Sequence, residues 1–392
     1  PVAVLYEGAC VEGTLMENPI EIGRLQRYAT DALMTSGRTV FTAGEPNGKS
    51  IGIVGSGPAG LSCATYLARL GFAVTIYERK ALPGGLDTYG MAEYKMTQIV
   101  SVEETKLIEK LGVRFVMNTE IISNGKRQIS NSKEESVTTD RRHTISFAEL
   151  EENHDAIFLS IGLGPTRELD IEGEDAMGVY DALDFIERIK TRDWSGVPIG
   201  KTVLVIGAGN TAIDATTQAK RLGAERVIMI YRRTEKEMSA YEYEYQIAKQ
   251  DGIEFLWLTA PVKFLKDEQN RVIALYCMKM ELTEADGIGR GTVKPIETSE
   301  FDISCDMVIK ALGQTRMREF LSDIANLKLD SQERIVVDQE TMQTTNPKYF
   351  AGGDCVNGGR EAVDAAQHGK LAAIGIHKVL LGASVSFAGI KA

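Results

Sequence analysis

The feature that most constrains this chain is a glycine-rich turn that occurs twice, each time between an apolar strand and a helix. Gly55–Gly60 follows the apolar segment Ser50–Val54, and Gly207–Ala212 follows the apolar segment Thr202–Ile206. In both places a second apolar strand comes after the helix. A repeated strand–helix–strand unit forms a parallel sheet with right-handed crossovers, and ligands bind at the carboxyl ends of its strands. The sequence therefore predicts an α/β fold with two Rossmann-like domains.

The first glycine-rich turn has the spacing of a dinucleotide-binding fingerprint. At the start of a helix, backbone N–H groups and the helix dipole favour a pyrophosphate. The three glycines permit a tight turn, close approach of that pyrophosphate and close packing of helix on strand. Glu78, at the end of the second strand, is placed to accept hydrogen bonds from an adenosine ribose. The residues predicted to contact a dinucleotide here are Gly55, Gly57, Pro58, Ala59, Gly60, Glu78 and Arg79.

The second turn differs from the first at the end of its second strand. Arg232 and Arg233 stand there in place of an acidic residue. A guanidinium binds a 2′-phosphate bidentately, whereas a carboxylate repels it, so the pattern favours NADP(H) over NAD(H). The alternative is that both arginines simply lie in solvent at a strand end. The residues predicted to contact this coenzyme are Gly207, Gly209, Asn210, Thr211, Arg232 and Arg233.

A third element near the C-terminus points to a flavin. The short apolar strand Tyr349–Ala351 runs into Gly352, Gly353 and Asp354, and a helix follows from about Arg360. The Asp354 carboxylate is placed to accept a hydrogen bond from a ribityl hydroxyl. At the helix start, the N–H groups of Ala362 and Val363 are placed to face the electron-rich edge of a flavin ring. The alternative is a simple turn. Together with the first fingerprint, this element predicts FAD.

Two further apolar strands are broken by glycine, and we interpret them as the places where the chain leaves each domain. They are Ala156–Gly164 and Met307–Gln314, and their Gly162 and Gly313 are predicted to lie beside the cofactors. The polar segment 123–144 is predicted to form an exposed hairpin or mobile loop. The predicted organisation is an N-terminal helical segment at 1–48, an FAD domain in two parts at 49–165 and 315–392, and an inserted NAD(P)H domain at 166–314.

The composition excludes several classes of protein. The 392 residues carry 44 Lys and Arg against 55 Asp and Glu, a net charge of −11, which argues against nucleic acid and anionic membranes as partners. No uncharged apolar run reaches the roughly 18 residues of a membrane span. The five cysteines include no CxxC pair, so a reducing, cytoplasmic compartment is expected. Because the chain begins with Pro1, we expect further sequence before it.

These motifs, together with Gly85 and Leu86 of the Pro83–Leu86 turn, resemble the flavoprotein reductases that have two dinucleotide-binding domains. Over nearly its whole length the chain resembles the electron-input proteins typified by the small subunit of glutamate synthase and the flavin part of dihydropyrimidine dehydrogenase. Asp338–Thr344, Gly369–Lys370 and Ile376–Lys378 place it closer to the latter. The resemblance implies hydride transfer from NAD(P)H to FAD, and electron transfer to an iron–sulphur chain or a catalytic partner subunit in pyrimidine reduction.

The N-terminal segment resembles the junction between an iron–sulphur domain and the flavin domain of that family. By this resemblance Cys10 and Gln26 would be cluster ligands. Tyr6, however, stands where the pattern has cysteine, and the remaining cysteines would lie before Pro1, so clusters require a missing segment or a partner. The alternative for Cys10 is a buried structural side chain.

The chain carries no recognisable triad of catalytic side chains, so we expect the cofactors to perform the chemistry. Cys355 has no second thiol beside it in sequence, which argues against disulfide chemistry. Among the histidines, His368 is the candidate for a position near the flavin, because it lies on the helix after the flavin motif. Two rival functions stay open. One is the small-subunit role in glutamate synthase, and the other is a non-catalytic, flavin-binding redox sensor.

Overall fold

The computed structural model describes residues 10, 19–122, 143–191, 194–283, 292–383 and 385. The chain forms two compact units, each made of several segments. The first unit contains Phe41–Leu169, Asp181–Val197 and Leu312–Ala392, and the second contains Pro1–Val40, Asp170–Tyr180 and Pro198–Ala311. Asp181–Val197 thus belongs to the first unit, although it lies inside the range 166–314 predicted for the inserted domain. Most of the polar segment 123–144 falls outside the described residues.

Helices and strands alternate around the two glycine-rich turns, as the repeated motif predicts, whereas the described residues of 254–310 form strands only. The helices are α1 Ile22–Ser36, α2 Pro58–Arg69, α3 Leu86–Tyr89, α4 Gln98–Glu109, α5 Phe147–Asn153, α6 Ala182–Thr191, α7 Asn210–Arg221, α8 Glu242–Gln250, α9 Arg318–Leu321, α10 Asp354–Asn357 and α11 Ala362–Leu381. The strands are β1 Ser50–Val54, β2 Ala73–Tyr77, β3 Arg114–Val116, β4 Thr119–Ile122, β5 His143–Ser146, β6 Ala156–Leu159, β7 Val179–Asp181, β8 Thr202–Ile206, β9 Arg226–Ile230, β10 Glu254–Leu256, β11 Thr259–Lys266, β12 Val272–Leu282, β13 Val293–Pro295, β14 Phe301–Ser304, β15 Met307–Lys310 and β16 Tyr349–Ala351.

The core of the first unit is a five-stranded sheet in the order β16-β6-β1-β2-β3, with parallel pairs throughout. The fingerprint strand β1 lies at its centre, and α2 and α11 pack together on one face through Cys63, Leu67, Ala372 and Ile376, which are all fully buried. A strand buried on both faces reads as a continuous apolar run, which is why the sequence shows β1 and β6 so clearly. The central position of β1 places the turn after it at the middle of the carboxyl edge.

The second unit repeats this arrangement, with the sheet order β10-β9-β8-β15-β7 and its fingerprint strand β8 again at the centre. A separate four-stranded sheet contains β11, β12, β13 and β14, and its pairs are antiparallel. This antiparallel sheet is not predicted from the sequence. Its longest strand, β12, alternates only partly between buried and exposed side chains, so its period is weak in the sequence.

The predicted fold class, α/β with two Rossmann-like sheets, is therefore confirmed. The two glycine-broken exit segments, placed after β6 and β15, also pair with each other. Thr166 and Gln314 form an antiparallel bridge, and the N–H of Gly164 donates to the carbonyl of Thr315 at 3.0 Å. Helix α1 has no buried side chain. Among the described residues, no helix is long and apolar enough to cross a membrane.

Candidate functional site

Packing explains two of the three glycines of the first turn, and open space explains the third. Gly55 has φ +97°, and a Cβ there would lie 2.5 Å from the carbonyl oxygen of Ser160. A Cβ on Gly60 would lie 2.2 Å from the Gly55 carbonyl oxygen, whereas a Cβ on Gly57 would meet nothing within 4 Å. Gly55 and Gly60 therefore allow the turn to form, and Gly57 leaves free space in front of the start of α2. This free space fits a pyrophosphate approaching the backbone.

Ser160, which the sequence analysis does not name, supports this turn from the exit segment after β6. Its hydroxyl lies 2.8 Å from the carbonyl oxygen of Gly55 and 2.9 Å from that of Val54, and it is 7% exposed. A hydrogen-bonding side chain behind a fingerprint is recognisable in the sequence only as a serine at the end of a buried strand. The contact itself depends on the sheet order.

Glu78 is buried and already holds the first turn in place. Its Oε2 accepts hydrogen bonds from the Ser56 N–H at 2.9 Å and the Ser56 hydroxyl at 2.6 Å, and its Oε1 accepts one from the Lys80 N–H at 2.9 Å. A carboxylate offers about four acceptor positions, so one remains on Oε1 for a ribose hydroxyl. The contact between Glu78 and a ribose stays a prediction. The neighbouring residue Arg79 is exposed in the bend that follows β2.

The Gly-Gly-Leu turn packs directly on the first fingerprint. Gly85 has φ +59°, and a Cβ there would lie 2.7 Å from the Cα of Gly57. The Gly84 N–H donates to the Ser56 carbonyl at 3.0 Å. Leu86, at the start of α3, keeps 40% of its surface exposed. An exposed apolar side chain beside the fingerprint turn fits an apolar ring of a bound cofactor.

The Gly-Gly-Asp element lies against the same turn. Gly353 has φ +77°, and a Cβ there would lie 3.1 Å from the Cβ of Ala59. The Gly353 N–H donates to the Nδ1 of His368 at 3.1 Å, so the imidazole of His368 is neutral and carries its proton on Nε2. Burial of the His368 side chain lowers the pKa of His368. Burial raises the pKa of the Asp354 carboxyl, whose Oδ1 accepts a hydrogen bond from the Arg360 N–H at 3.3 Å.

Donors without protein acceptors occur next to this element. The Nδ2 of Asn357 is buried without a hydrogen-bond partner in the described part of the chain. In the 20-residue helix α11 the N–H of Asp364 is bonded to the capping residue Glu361, whereas the first two N–H groups, those of Ala362 and Val363, have no acceptor within the helix. Val363, at its second position, is 48% exposed. These orphaned donors, with the open space at Gly57, fit the phosphates and the polar ring edge of FAD.

The structure also brings together several titratable side chains around α3. Burial, with a smaller contribution from the nearby Glu104 carboxylate, raises the pKa of the Asp87 carboxyl on α3 to about 7. The Lys190 ammonium on α6 acts in the opposite direction. The side chain of Lys190 is 0% exposed and lies 3.5 Å from a carboxylate oxygen of Glu93. The only signal in the sequence is that Asp87 directly follows the Gly-Gly-Leu turn.

Gly162 and Gly313 need glycine for backbone conformation alone. Their φ angles are +65° and +77°, and a Cβ on either would meet nothing within 4 Å. The Gly313 carbonyl accepts a hydrogen bond from the Arg167 N–H at 3.0 Å within the paired exit segments. Their predicted place beside the cofactors stays a prediction.

In the second fingerprint, Gly207 has φ +135°, and a Cβ there would lie 2.3 Å from the carbonyl oxygen of Ala311. Ala212, in place of the third glycine, is fully buried. The side-chain oxygen of Asn210 accepts a hydrogen bond from the Tyr241 N–H at 3.0 Å, so this oxygen anchors the loop before α8. Thr211 follows on the first turn of α7 and is half-buried.

The two arginines at the end of β9 have different environments. Arg232 is exposed and forms no hydrogen bond or ion pair with the described part of the chain. Arg233 pairs with Glu237 at 3.2 Å, and their side chains are 16% and 15% exposed. The sequence predicts the same role for both arginines, and only the structure shows that their environments differ.

In the part of the chain that the structure describes, the cysteines do not cluster with other metal-binding side chains. Cys10 is half-buried and Gln26 is exposed on α1, so their role as cluster ligands stays a prediction. No group of three or more His, Cys, Asp and Glu side chains could hold a metal ion within the described ranges. The Cys355 thiol is buried, which raises its pKa to about 12, and it lies 3.3 Å from the Gly352 carbonyl oxygen.

Curated relatives match the chain over nearly its full length. It is 32% identical over 388 residues to the glutamate synthase [NADPH] small chain of Escherichia coli, covering 95% of this chain and 77% of that protein. It is 31% identical over 398 residues to the NADP(+)-dependent formate dehydrogenase subunit beta of Moorella thermoacetica, covering 95% of this chain but about half (53%) of that protein.

Among solved structures, the fold is similar to that of FprA from Mycobacterium tuberculosis, described in complex with NADPH. The TM-score is 0.62 at 19% identity, and the match covers 88% of this chain and 87% of that one. At this identity the likeness supports the fold alone. The family model for pyridine nucleotide-disulphide oxidoreductases matches residues 49–369, which include both fingerprints and the Gly-Gly-Asp element. The chain therefore belongs to the pyridine nucleotide-disulphide oxidoreductases, a family of FAD- and NAD(P)H-dependent oxidoreductases.

Proposed function

We propose that this chain is an electron-input subunit that oxidises NADPH through FAD and passes the electrons to a partner. The observation that carries the proposal is the pair of fingerprints with opposite charges at their second strand ends. Glu78 lies there in the first unit, and Arg232 with Arg233 lies there in the second. When bound, FAD accepts a hydride from the nicotinamide and releases the electrons one at a time.

The residues of the first unit bind and orient the flavin in this proposal. The start of α2 at Gly57 receives the pyrophosphate, and the remaining acceptor position of Glu78 binds the adenosine ribose. Asp354 and the orphaned amide of Asn357 receive polar groups of the cofactor. The first N–H groups of α11 stabilise negative charge at the ring edge.

The residues of the second unit bind NADPH in preference to NADH. The start of α7 at Gly209 receives the pyrophosphate, and a Cβ at this position would meet only the Ser239 hydroxyl, at 3.4 Å. Arg232, exposed at the end of β9, pairs with the 2′-phosphate. The names of two relatives, the glutamate synthase [NADPH] small chain and the NADP(+)-dependent formate dehydrogenase subunit beta, support this preference.

The acceptor is a partner subunit or an iron–sulphur chain. The relatives carry the names small chain and subunit beta, which supports a place in a larger assembly. Between the two specific roles, these relatives support the glutamate synthase small-chain role better than pyrimidine reduction. The sequence-based arguments for the dihydropyrimidine dehydrogenase role are the segments Asp338–Thr344, Gly369–Lys370 and Ile376–Lys378, together with Cys10 and Gln26 of the N-terminal segment. A reducing, cytoplasmic compartment remains part of the proposal.

Anaerobic titration tests the proposed function. We expect the FAD-loaded chain to lose its flavin absorbance with NADPH at concentrations at which NADH has little effect, and an added one-electron acceptor to restore it. An unchanged spectrum with both coenzymes would favour the non-catalytic redox sensor. Purification with a glutamine-dependent partner, or with a pyrimidine-reducing partner, decides between the two specific roles.

A further inference from the structure

We propose that Glu237 is a positioning residue that limits how tightly the second unit holds a 2′-phosphate. Glu237 pairs with Arg233 and cancels its charge, which leaves Arg232 as the guanidinium that binds the phosphate. This inference rests on the proposed binding of NADPH to the second unit. It goes beyond that function because it assigns unequal roles to two adjacent arginines and a restraining role to a carboxylate.

The Arg233–Glu237 pair is a well-enclosed ion pair. The Nη1 of Arg233 lies 3.2 Å from the Oε1 of Glu237, and about five-sixths of each side chain is buried (16% and 15% exposed). The Oε2 of Glu237 accepts hydrogen bonds from both the N–H and the hydroxyl of Thr234, each at 3.3 Å. The carboxylate is therefore held on both oxygens and cannot swing away to admit an anion to Arg233 without losing these bonds.

The segment that carries Glu237 is packed on the fingerprint turn. The Ser239 and Ala240 N–H groups donate to the carbonyl of Ala208, each at 3.2 Å. The Tyr241 N–H donates to the side chain of Asn210, and the Tyr231 hydroxyl donates to the Glu237 carbonyl at 3.2 Å. These bonds place the carboxylate of Glu237 at the same strand end as the predicted 2′-phosphate site.

Arg232 is the guanidinium available to an incoming anion. It is exposed and forms no ion pair with the part of the chain that the structure describes. A phosphate that approached Arg233 would instead meet the Glu237 carboxylate that already pairs with it. Removing the negative charge of Glu237 should therefore tighten phosphate binding, and removing Arg233 alone should weaken it by exposing an uncompensated carboxylate. When two charges lie several ångströms apart and are partly screened by salt, removing one of them changes the affinity for the phosphate by about threefold to tenfold.

The test uses nucleotides that bind without any redox step. The full FAD-loaded chain is titrated by calorimetry with 2′,5′-ADP and with 5′-AMP, which differ only in the 2′-phosphate. The variants are Glu237→Gln, Arg233→Ala, the double variant and Arg232→Ala. Glu254→Gln is the matched control, because Glu254 pairs with Arg226 at 2.7 Å where strands β9 and β10 begin, at the other edge of the same sheet.

For Glu237→Gln we expect 2′,5′-ADP to bind about threefold to tenfold more tightly at low salt, and the gain to shrink at high salt. The affinity of this variant for 5′-AMP should stay within about twofold of the wild-type value. The control Glu254→Gln should change the affinity for neither nucleotide. Arg233→Ala should weaken 2′,5′-ADP binding, and adding Glu237→Gln should restore it. Arg232→Ala should abolish the preference for 2′,5′-ADP. A gain in affinity cannot result from partial unfolding.

Two results would overturn this inference and leave the proposed NADPH preference intact. One is unchanged 2′,5′-ADP affinity in Glu237→Gln while the wild type still prefers 2′,5′-ADP. The other is a double variant as weak as Arg233→Ala, since Arg233 would then bind the phosphate directly. A wild type with no preference for 2′,5′-ADP over 5′-AMP would overturn both this inference and the proposed NADPH preference.

Discussion

At the residue scale, the glycines of the first turn are required for two different physical reasons. A methyl group on Gly60 would meet the backbone oxygen of Gly55 at 2.2 Å, and that oxygen cannot move without breaking the turn. A methyl group on Gly57 would meet nothing in the protein, and its φ of −70° suits any residue. The fingerprint pattern therefore combines a packing requirement with a ligand requirement, and the sequence alone does not tell them apart.

Substitution of the two glycines separates these requirements. For Gly60→Ala we expect the flavin-free protein to lose about 1–3 kcal/mol of unfolding free energy, because the methyl overpacks the turn. For Gly57→Ala we expect unchanged stability but at least about tenfold weaker FAD binding, since the methyl occupies the space of the pyrophosphate. Urea unfolding and flavin fluorescence titration measure the two effects. Equal loss of stability in both variants would contradict this assignment.

Asp87 should make stability depend on pH. Its folded pKa is about 7 against an ordinary value of 3.8, so between these values the folded state binds a proton that the unfolded state does not. Unfolding free energy should therefore fall as pH rises from 4 to 7, by up to about 1.4 kcal/mol per pH unit from this group. The charged groups that face it are Glu104, Lys190 and Asp354.

Asp87→Asn should remove this part of the slope and raise stability at pH 8 relative to the wild type. Urea unfolding of both proteins at intervals from pH 4 to 8 provides the measurement, and only their difference is interpreted because other carboxyls titrate in both. Parallel profiles for the two proteins would show that Asp87 is ionised throughout.

At the element scale, the helix starts carry the proposed cofactor contacts. Helix α11 begins at Ala362 after the extended residue Glu361, whose N–H donates to the Asp364 carboxylate at 3.2 Å. The start was expected near Arg360 and lies two residues later, because Glu361 caps the helix. Strands were easier to place: β1 and β8 agree with the predicted apolar segments residue by residue, since buried parallel strands are continuous apolar runs.

Ala362→Pro tests the proposed role of this helix start. Proline is well tolerated at the first position of a helix and removes one N–H donor there. The preceding residue already has the extended conformation, φ −71° and ψ 154°, that proline requires before it. We expect stability to change little, FAD to bind more weakly, and the flavin midpoint potential to become more negative because less positive charge faces the ring. An unchanged potential and affinity would place the flavin edge elsewhere.

At the scale of the whole molecule, the two units repeat one topology. Each sheet has its fingerprint strand at the centre, the next strand along the chain on one side and the exit strand on the other. The outermost strand beside the exit strand has a different origin in each unit. It is β16, from the C-terminal part of the chain, in the first unit, and β7, from before the fingerprint, in the second.

Hydrogen exchange should separate the two units. FAD added to the flavin-free chain should slow exchange in β1, α2 and the start of α11, because a ligand stabilises the state that binds it. Addition of 2′,5′-ADP should slow exchange at the start of α7 and the end of β9. Protection of the second fingerprint by FAD alone would contradict the assignment of the cofactors to the units.

The sequence by itself determined the duplicated strand–helix–strand units, the fold class and the glycines of both turns, because these depend on contacts between residues close in the chain. Only the tertiary structure placed Ser160 behind the first turn, surrounded Asp87 with charges from α4, α6 and α10, and put Asp181–Val197 in the first unit. It also separated Arg232 from Arg233, since the burial of an ion pair depends on how the surrounding segments pack. Local pattern specifies backbone elements, whereas the charge and exposure of a side chain depend on neighbours brought together only by folding.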